Sequence, residues 1–456
     1  MESAAPLNPR EHEYAPGQLP PVPDAPPPDA QGPKSGALKF IFITLLLEVL
    51  GFGLFIPVGP KLIQELLDKA NPGSGTPDEA ARYFGLLVAS FALMQFFFAP
   101  VLGAVSDRFG RRPVLLISIL GSGLDYFAMA LSPFLWVLYI TRMLNGMSGA
   151  TISVCNAYIA DITPPHKRAG AYGIVGAAFG LGFVIGPAVG GLLGEYDIRL
   201  PFYVAGSLAI INWLYGCFVL PESLRPENRS RLSIRRMNPV AVFGGLRDHP
   251  LAKSMAGSFF LLNMAMFGLQ STWVLYTASR YHWTEFQVGL SLTCVGIGAA
   301  IVQGGLARKI IPALGPGPVG ERRAVLIGLL IGCCAYIGYG AADKGWMIYT
   351  IISVASLGGI AQPAAMALIT RTVRPDEQGA VQGGIAGINS IAMIIAPLIA
   401  TKIFSLANPS SPNTSLWAQH PGLSFYYCSF MAFLGLLAAL WATRHVERDT
   451  LAQAAS

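Results

Sequence analysis

Long apolar runs alternate with short polar segments along most of the chain. A helix needs about 20 apolar residues to cross the hydrocarbon core of a bilayer, which is roughly 30 Å thick. Such runs predict twelve membrane-spanning helices, at residues 37–58, 83–102, 113–132, 134–159, 169–193, 200–220, 252–276, 286–307, 323–341, 345–370, 379–404 and 423–443. Soluble helices carry a polar face, and these segments have almost none, so the pattern predicts an all-α membrane protein.

The two halves of this pattern resemble one another. Three matches carry the similarity: Arg111-Arg-Pro-Val-Leu-Leu with Arg322-Arg-Ala-Val-Leu-Ile, Trp136 and Tyr139 with Trp346 and Tyr349, and Gly186-Pro187 with Ala396-Pro397. In the second and third matches, each residue is followed by its counterpart 210 positions later. A constant offset indicates an internal duplication, which predicts two parallel six-helix bundles around a central cavity.

A polar segment between the sixth and seventh spans separates the two predicted bundles. We expect bundles at 37–221 and 252–444, a cytoplasmic linker at 222–251, and tails at 1–36 and 445–456. The first tail is rich in proline and has no apolar core. This composition excludes a cleaved signal peptide and predicts a disordered cytoplasmic tail.

Composition and charge agree with a location in the membrane. The 456 residues are 53% hydrophobic and only 12% charged, whereas soluble proteins are roughly 25% charged. With both termini inside, most of the 31 Lys and Arg residues fall on the cytoplasmic side, as the positive-inside rule requires. We therefore expect a multi-pass protein of the cytoplasmic (inner) membrane. The dispersed basic charge argues against nucleic-acid binding.

The sequence contains no constellation typical of an enzyme. The six cysteines lie in or beside apolar segments without the spacing of a zinc site, and no nucleotide-binding or nucleophile motif occurs. We therefore expect no metal, no cofactor and no enzymatic activity. We also expect the protein to function as a monomer within the lipid bilayer.

Three charged residues fall well inside the predicted spans, away from their ends, namely Glu48, Asp125 and Arg142. A charged side chain at the centre of a membrane helix costs about 2.5–3.5 kcal/mol on insertion scales, so each needs a partner or a wet cavity. At a rise of about 1.5 Å per residue, all three lie at nearly the same depth. They predict one proton-coupling site, because burial favours a protonated carboxyl and a nearby cation opposes this. The alternative is a static ion pair of Arg142 with one carboxylate.

Uncharged polar residues in the spans are candidate substrate contacts. On helix 4, Asn145, Gly149, Ser153 and Asn156 share one face with Arg142. The candidates are Gln95, Asn145, Asn156, Asn263, Gln270, Gln303, Gln362 and Asn389. Amide side chains in a helical bundle also serve as hydrogen bonds between helices, so this second interpretation stays open for each of them.

A charged turn joins the second and third spans. The run Gly103-Ala-Val-Ser-Asp107-Arg108-Phe-Gly110-Arg111-Arg112-Pro113 carries four charges in six residues. We expect two helix ends to approach closely at the glycines, with Pro113 in the first turn of the next helix. Asp107 can face the start of helix 11 near Gly379, and Arg111 or Arg112 can reach Asp161. The candidate gating residues are Gly103, Asp107, Arg108, Gly110, Arg111 and Arg112. An ordinary basic loop is the alternative.

Helix 5 is unusually rich in glycine. Its motif comprises Gly182, Gly186, Pro187, Gly190 and Gly191. Glycines let helices pack closely, and the proline bends its helix because it lacks a backbone donor. Close packing and a hinge role are compatible interpretations.

Several of these motifs resemble the major facilitator superfamily, and within it the drug/proton antiporters. They are the turn at 103–113, Leu54-Phe-Ile-Pro57-Val-Gly-Pro60 after helix 1, Arg142-Met-Leu-Asn-Gly146 on helix 4, and Gly180-Leu-Gly-Phe-Val-Ile-Gly186-Pro187-Ala-Val-Gly190-Gly191 on helix 5. The first 225 residues are similar to the tetracycline/proton antiporters. A weaker similarity, through Gly289-Leu-Ser-Leu, Gln303 and Gln378-Gly-Ala-Val-Gln382-Gly, extends over nearly the whole membrane part.

The resemblance implies drug or proton binding by the residues that match the family's motif positions, which are Glu48, Asp125, Gln95 and Gln303. Three positions depart from the family pattern. Ala299 replaces a histidine of helix 8, Gly332 replaces an aspartate of helix 9, and Gln64 replaces an arginine outside helix 1. Tetracycline leaves as a positively charged metal chelate in this family, so these departures bear on the substrate.

Together these features predict a twelve-helix secondary transporter that works by alternating access. We expect it to export a lipophilic drug-like compound, of the tetracycline class, in exchange for protons. A proton-coupled importer or metabolite exporter on the same fold is one alternative. A non-transporting membrane receptor or scaffold is the second.

Overall fold

The computed structural model describes residues 35–149, 151–163, 168–224, 226–229, 237–247, 249–373, 377–407, 420 and 422–444. The predicted tails at 1–36 and 445–456 lie outside this part, apart from Ser35 and Gly36. Residues 225, 230–236 and 248 of the predicted linker lie outside it as well.

Within the described residues, seven helices form the first half of the chain. They are α1 (Ser35–Ala70), α2 (Pro77–Phe109), α3 (Arg111–Leu131), α4 (Leu135–Ser148), α5 (Thr151–Ile162), α6 (Arg168–Tyr196) and α7 (Leu200–Val219). Helix α1 extends beyond its predicted span, so Pro57 and Pro60 lie inside it rather than after it. Thr76 begins α2 as an N-cap, with its side chain accepting a hydrogen bond from the backbone N–H of Glu79.

Eight helices form the described part of the second half. They are α8 (Pro250–Tyr281), α9 (Glu285–Ile301), α10 (Ala307–Ala313), α11 (Gly317–Ala341), α12 (Gly345–Ser356), α13 (Ala361–Arg371), α14 (Gln378–Ala407) and α15 (Leu423–Ala442). A π-helical turn at Val302–Leu306 joins α9 to α10, and a 3₁₀ turn at Leu357–Ile360 joins α12 to α13. In the linker, the 3₁₀ helix Pro239–Leu246 packs on α14, where Leu246 contacts Gly384.

Eleven helical stretches in the described residues are long and apolar enough to cross a membrane. The predicted fourth span, at 134–159, corresponds to the successive helices α4 and α5, each too short to be counted alone. Gly149 follows the end of α4 and interrupts the helix there. The predicted all-α fold with twelve crossings is therefore confirmed, with its fourth crossing broken in the middle.

The structure shows how the two halves correspond. The pattern of buried positions that begins at Arg111 in α3 recurs from Glu321 in α11, at the same offset of 210 that relates the tryptophans. Arg111 therefore corresponds to Glu321, and the predicted match with Arg322 is wrong by one residue. The two halves share the pattern of buried positions rather than the identity of these residues. An ion pair recurs with its charges reversed: Arg111 pairs with Asp161, and Glu321 pairs with Arg371.

The halves meet at one end of the molecule. We call the end that holds residues 103–113 the loop side and the opposite end the far side. On the far side one apolar core takes residues from both halves, including Leu54–Leu67 of α1 and Trp273–Tyr276 of α8. On the loop side each half has its own core. This arrangement is closed on the far side.

Candidate functional site

The centre of the first half contains a buried ion pair. A guanidinium nitrogen of Arg142 on α4 lies 2.8 Å from Oδ2 of Asp125 on α3, and the two side chains are only 7% and 2% exposed. Both residues lie well inside helices that are long apolar segments. A buried ion pair is stable only when other groups satisfy its remaining hydrogen-bond donors and acceptors, so its stability depends on the surrounding residues.

Aromatic rings and a thioether surround Arg142. Its guanidinium lies 4.9 Å from the ring centre of Phe55, 5.4 Å from that of Tyr126 and 5.9 Å from that of Phe91. Its Nε and one terminal nitrogen also lie 3.2 and 3.1 Å from the sulfur of Met129. Cation–π contacts of this kind stabilise a desolvated cation. Sequence reasoning missed this cage, because its members are ordinary apolar residues of membrane helices.

Asn145 holds the Asp125 carboxylate from the other side. Its Nδ2 donates to Asp125 Oδ2 at 2.7 Å, and its Oδ1 accepts from the Ser122 hydroxyl at 3.2 Å. Asp125 Oδ1 is buried and has no hydrogen-bond partner within the described part of the chain. Asn145, predicted as a substrate contact, is thus engaged with the ion pair.

Glu48 on α1 joins the same cluster. Its carboxylate is within electrostatic range of Arg142 and Asp125. Unlike Asp125, the Glu48 residue is partly exposed. The structure therefore brings together the three charged residues that the sequence placed at one depth, with Asp125 paired to Arg142.

Three of the predicted polar residues form hydrogen bonds to other helices. Gln95 on α2 donates to the carbonyl of Gly149 at 3.1 Å, beside the break between α4 and α5. Asn263 on α8 donates to Asn389 Oδ1 on α14 at 2.8 Å, and also to the carbonyl of Phe259 at 2.7 Å. The Gln95 and Asn263 amides thus act as hydrogen bonds between helices, which was the alternative interpretation.

The other predicted polar residues remain accessible. Gln270 lines a small cavity between the halves, together with Phe55, Phe84, Phe267 and Pro397. Gln303, at the π-helical turn, and Gln362 are exposed, and Asn156 on α5 is partly exposed. π-Helical turns are often found at functional sites, because they change the direction of side chains within a helix.

The charged turn on the loop side is an ordered network. Arg111 pairs with Asp107 at 2.6 Å and with Asp161 at 3.2 Å, and it donates to the Ser106 hydroxyl at 2.6 Å. The predicted contact with Asp161 is therefore present. Arg108 lies over the ring of Phe109 at 5.4 Å. The side chains around Gly379, at the start of the predicted eleventh span (now α14), lie outside the described residues. The contact between Asp107 and this helix therefore stays a prediction.

Glu222 closes this network, although nothing in the sequence marked it. Its carboxylate accepts hydrogen bonds from the backbone N–H groups of Arg111 at 2.8 Å and Arg112 at 3.2 Å, so it caps the N-terminus of α3. Gly110 has a φ of 110°, and a β-carbon there would overlap the Glu222 carboxylate. At Gly103, no atom of the described residues outside its own stretch of helix lies within 4 Å of where a β-carbon would be, so the predicted close approach is not seen in this part of the chain.

The glycine motif of helix 5, now in α6, serves two interfaces. Gly182, Gly186 and Gly190 pack against α1, where a β-carbon on Gly186 would lie 2.9 Å from the Cα of Gly53. On another face of α6, Gly191 and Pro187 contact α9, which belongs to the second half. The predicted close packing is therefore present, within one half and between the halves.

The far side carries an ion pair that joins the halves. Lys61 on α1 pairs with Glu285 at the start of α9, with 2.5 Å between Nζ and Oε1. A cavity of about 280 Å³ lies beside this pair, with Gln64, Ser279 and Trp283 among its lining residues. By contrast, the Glu65–Arg199 pair on the same side lies within one half.

Comparisons with known proteins agree with this architecture. Residues 41–397 and 318–455 match the Major Facilitator Superfamily. The class C tetracycline resistance protein of Escherichia coli is 39% identical over 383 residues, which cover 84% of this chain and 93% of that protein. The class B protein of the same organism is 33% identical over 394 residues, covering 86% and 94%.

A solved structure supports the fold independently. A bacterial homologue of the human lysosomal transporter Spinster, in an inward-facing and unoccupied conformation, has a TM-score of 0.70 at 16% identity, covering 91% of this chain and 98% of that one. The chain therefore belongs to the major facilitator superfamily, and it is a multi-pass membrane transporter of a small molecule rather than an enzyme.

Proposed function

We propose that this transporter exports a lipophilic drug-like compound, of the tetracycline class, in exchange for protons. The observation that carries the proposal is the charge cluster of Glu48, Asp125 and Arg142 inside an otherwise apolar bundle. Placing such a cluster inside a membrane is energetically costly, and charged residues at this depth therefore indicate a role in transport. The similarity to two tetracycline resistance proteins supports the substrate class.

The orientation follows from the distribution of basic residues. We place both termini and the loop side in the cytoplasm of the cell, with the protein in the cytoplasmic membrane. The state closed on the far side then faces inward. In this state Asp125 is held by Arg142 and Asn145, and we assign the exchange of the proton to Glu48.

Substrate contacts belong to the residues that remain accessible between the halves. These are Gln270, Gln303, Gln362 and Asn156, with the aromatic wall around Gln270 supplying apolar area. Asn263 and Asn389 hold α8 to α14, so their amides support the site by setting the distance between these helices. The network around Arg111 acts as the gate on the loop side, since it joins α2, α3 and α5.

The test uses tetracycline uptake into inside-out vesicles with an imposed pH gradient. Uptake should require a gradient that is acidic inside, and Glu48→Gln and Asp125→Asn should each abolish the dependence on the gradient. Glu65→Gln is the matched control, because Glu65 lies on the same helix as Glu48 and pairs with Arg199 outside the cluster. Unchanged gradient-driven uptake in both cluster variants would contradict proton coupling at this site. Uptake only into right-side-out vesicles would indicate import.

A further inference from the structure

One aromatic ring belongs both to the cage around Arg142 and to the boundary between the halves. The ring of Phe55 on α1 lies beneath the Arg142 guanidinium, whose carbon is 4.9 Å from the ring centre. Phe55 also lines the small cavity between the halves, together with Phe267 of α8. Phe91 and Tyr126, the other two rings described around Arg142, do not line that cavity. Among these three rings, Phe55 therefore connects the buried cation to the second half.

The neighbours of Phe55 hold its ring in this position. Phe84 on α2 stacks on it with the ring centres 5.6 Å apart, and the ring of Phe202 on α7 lies 6.2 Å away. One helical turn further along α1, a β-carbon on Gly59 would lie 2.7 Å from the Phe55 ring, so glycine leaves the space that the ring occupies. Phe55 is only 3% exposed. Its ring therefore cannot turn away from Arg142 without disturbing α2 or α7.

The second half keeps water away from this ring. The cavity beside Phe55 has a volume of about 30 Å³, with Phe267, Met393 and Pro397 of the second half among its lining residues. A space of this size holds a few water molecules at most. Helices α1 and α8 also contribute to the shared apolar core that closes the far side. Opening the far side separates these two helices, so it uncovers Phe55 and lets water reach its ring.

A contact between a cation and an aromatic ring is stronger in a dry site than in a wet one, because water competes for the cation. The contact of Arg142 with Phe55 therefore stabilises the state closed on the far side more than the open state. By thermodynamic reciprocity, closure of the far side stabilises the Arg142 cation to the same extent. The contacts of Arg142 with Phe91 and Tyr126 lie within the first half, so separation of the halves does not uncover them in this way.

We propose that Phe55 is a positioning residue that links closure of the far side to the ion pair of Arg142 with Asp125. When the far side is closed, the covered ring holds the guanidinium in a dry site beside the Asp125 carboxylate, 2.8 Å away. When the far side opens, the ring is uncovered, the guanidinium is held less firmly, and the ion pair becomes easier to break. No covalent bond changes in this step. The inference rests on the proposed function for its role in proton exchange.

Fluorinated phenylalanines test this contact with little change in the shape of the ring. Each fluorine withdraws electron density from the ring face and weakens its attraction for a cation, although it makes the ring more apolar. Monofluoro-, difluoro- and trifluorophenylalanine in place of Phe55 therefore weaken the contact with Arg142 stepwise. The carboxylates of Asp125 and Glu48, which also act on Arg142, stay unchanged. A role in apolar packing alone predicts no loss of closure with added fluorine.

Two rings of α2 provide matched controls. Phe91 faces Arg142, with 5.9 Å between the guanidinium carbon and the ring centre, but does not line the cavity between the halves. Phe84 lines that cavity and stacks on Phe55, but is not one of the described rings that face Arg142. The same fluorinated residues at position 91 test the cation contact without the boundary, and those at position 84 test the boundary without the cation contact. The full effect should appear at position 55.

Distances between spin labels give a first readout, which needs no substrate. Labels at Gln64 and Ser279 lie on opposite halves beside the far-side cavity. We expect the fluorinated series at Phe55 to raise the population of the open far side stepwise, up to about 10-fold, as loss of a desolvated cation–π contact would. The series at Phe91 and at Phe84 should change this population less than about 2-fold. An unchanged population across the Phe55 series, or an equal change in the Phe91 series, would overturn the inference.

Transport in proteoliposomes gives the second readout and relates the contact to proton coupling. It compares tetracycline transport driven by a pH gradient with tetracycline exchange in the absence of a gradient. We expect the ratio of the two rates to fall with each fluorine at Phe55, up to about 10-fold, whereas a purely structural role would lower both rates together. A constant ratio would overturn the link to the ion pair. Stepwise changes in the label distances, in a protein whose unmodified form shows no gradient-driven transport, would refute the proposed function and retain the link between Phe55 and closure.

Discussion

The boundary between α6 and α9 allows a direct test of alternating access. Gly289 on α9 lies against the backbone of α6, and a β-carbon there would overlap the carbonyl oxygen of Pro187 and lie 3.2 Å from the Cα of Gly191. Both neighbours are backbone atoms of the other half, so no side-chain rotation can make room. We expect Gly289→Ala to force the halves apart on the far side.

The magnitude follows from the cost of overpacking. Inserting a methyl group into a well-packed contact costs typically about 1–3 kcal/mol. This cost falls on the state closed on the far side, because opening that side separates α6 from α9. The gain in helix propensity on replacing glycine is the same in both states. The population should therefore shift toward the open state by about 5–150-fold, which is the usual range for such a free-energy difference.

Distance measurements between spin labels can detect this shift. Labels at Gln64 and Ser279 lie on opposite halves beside the far-side cavity, and they are introduced without the six native cysteines. We expect Gly289→Ala to increase the population with the longer distance. Gly180→Ala on α6 is the control, because no described residue outside its own stretch of helix has an atom within 4 Å of its β-carbon position. An unchanged distance distribution in Gly289→Ala would refute the reasoning.

Two further predictions concern ion pairs and caps. Lys61→Glu and Glu285→Lys should each lower transport up to about 5-fold, because a partly exposed ion pair contributes about 0.2–1 kcal/mol. The double variant, in which the two charges are exchanged, should recover part of the lost transport. A double variant that transports no better than the worse single variant would contradict this prediction. Glu222→Gln should destabilise the protein by about 1 kcal/mol, because it removes the charge that caps α3. Thermal unfolding of the purified protein measures this effect, and an unchanged midpoint would rule out the cap.

Much of the site could be located from the sequence because the membrane makes charge rare. Glu48, Asp125 and Arg142 stand out in apolar spans, and the fixed rise of a helix converts their positions into depths. Depth alone did not show which carboxylate pairs with Arg142, since this depends on how each helix is rotated. In the structure Asp125 forms the ion pair and Glu48 stays partly accessible.

The amides show a second limit of sequence reasoning. An amide both donates and accepts, so Asn145 and Gln95 fit a substrate contact and a helix contact equally well. Only tertiary packing assigned Asn145 to Asp125 and Gln95 to the carbonyl of Gly149. Glu222 is a similar case, because its partners at the start of α3 are about 110 residues away in sequence.

By itself, the sequence determined the all-helical membrane fold, the duplication and the depth of the charge cluster. These follow from local properties, namely hydropathy, helix rise and the cost of charge in lipid. The tertiary structure decided the register between the halves, the cage around Arg142, the contact of Asn145 with Asp125 and the side on which the halves are closed. These depend on contacts between residues far apart in the chain, which hydropathy does not encode.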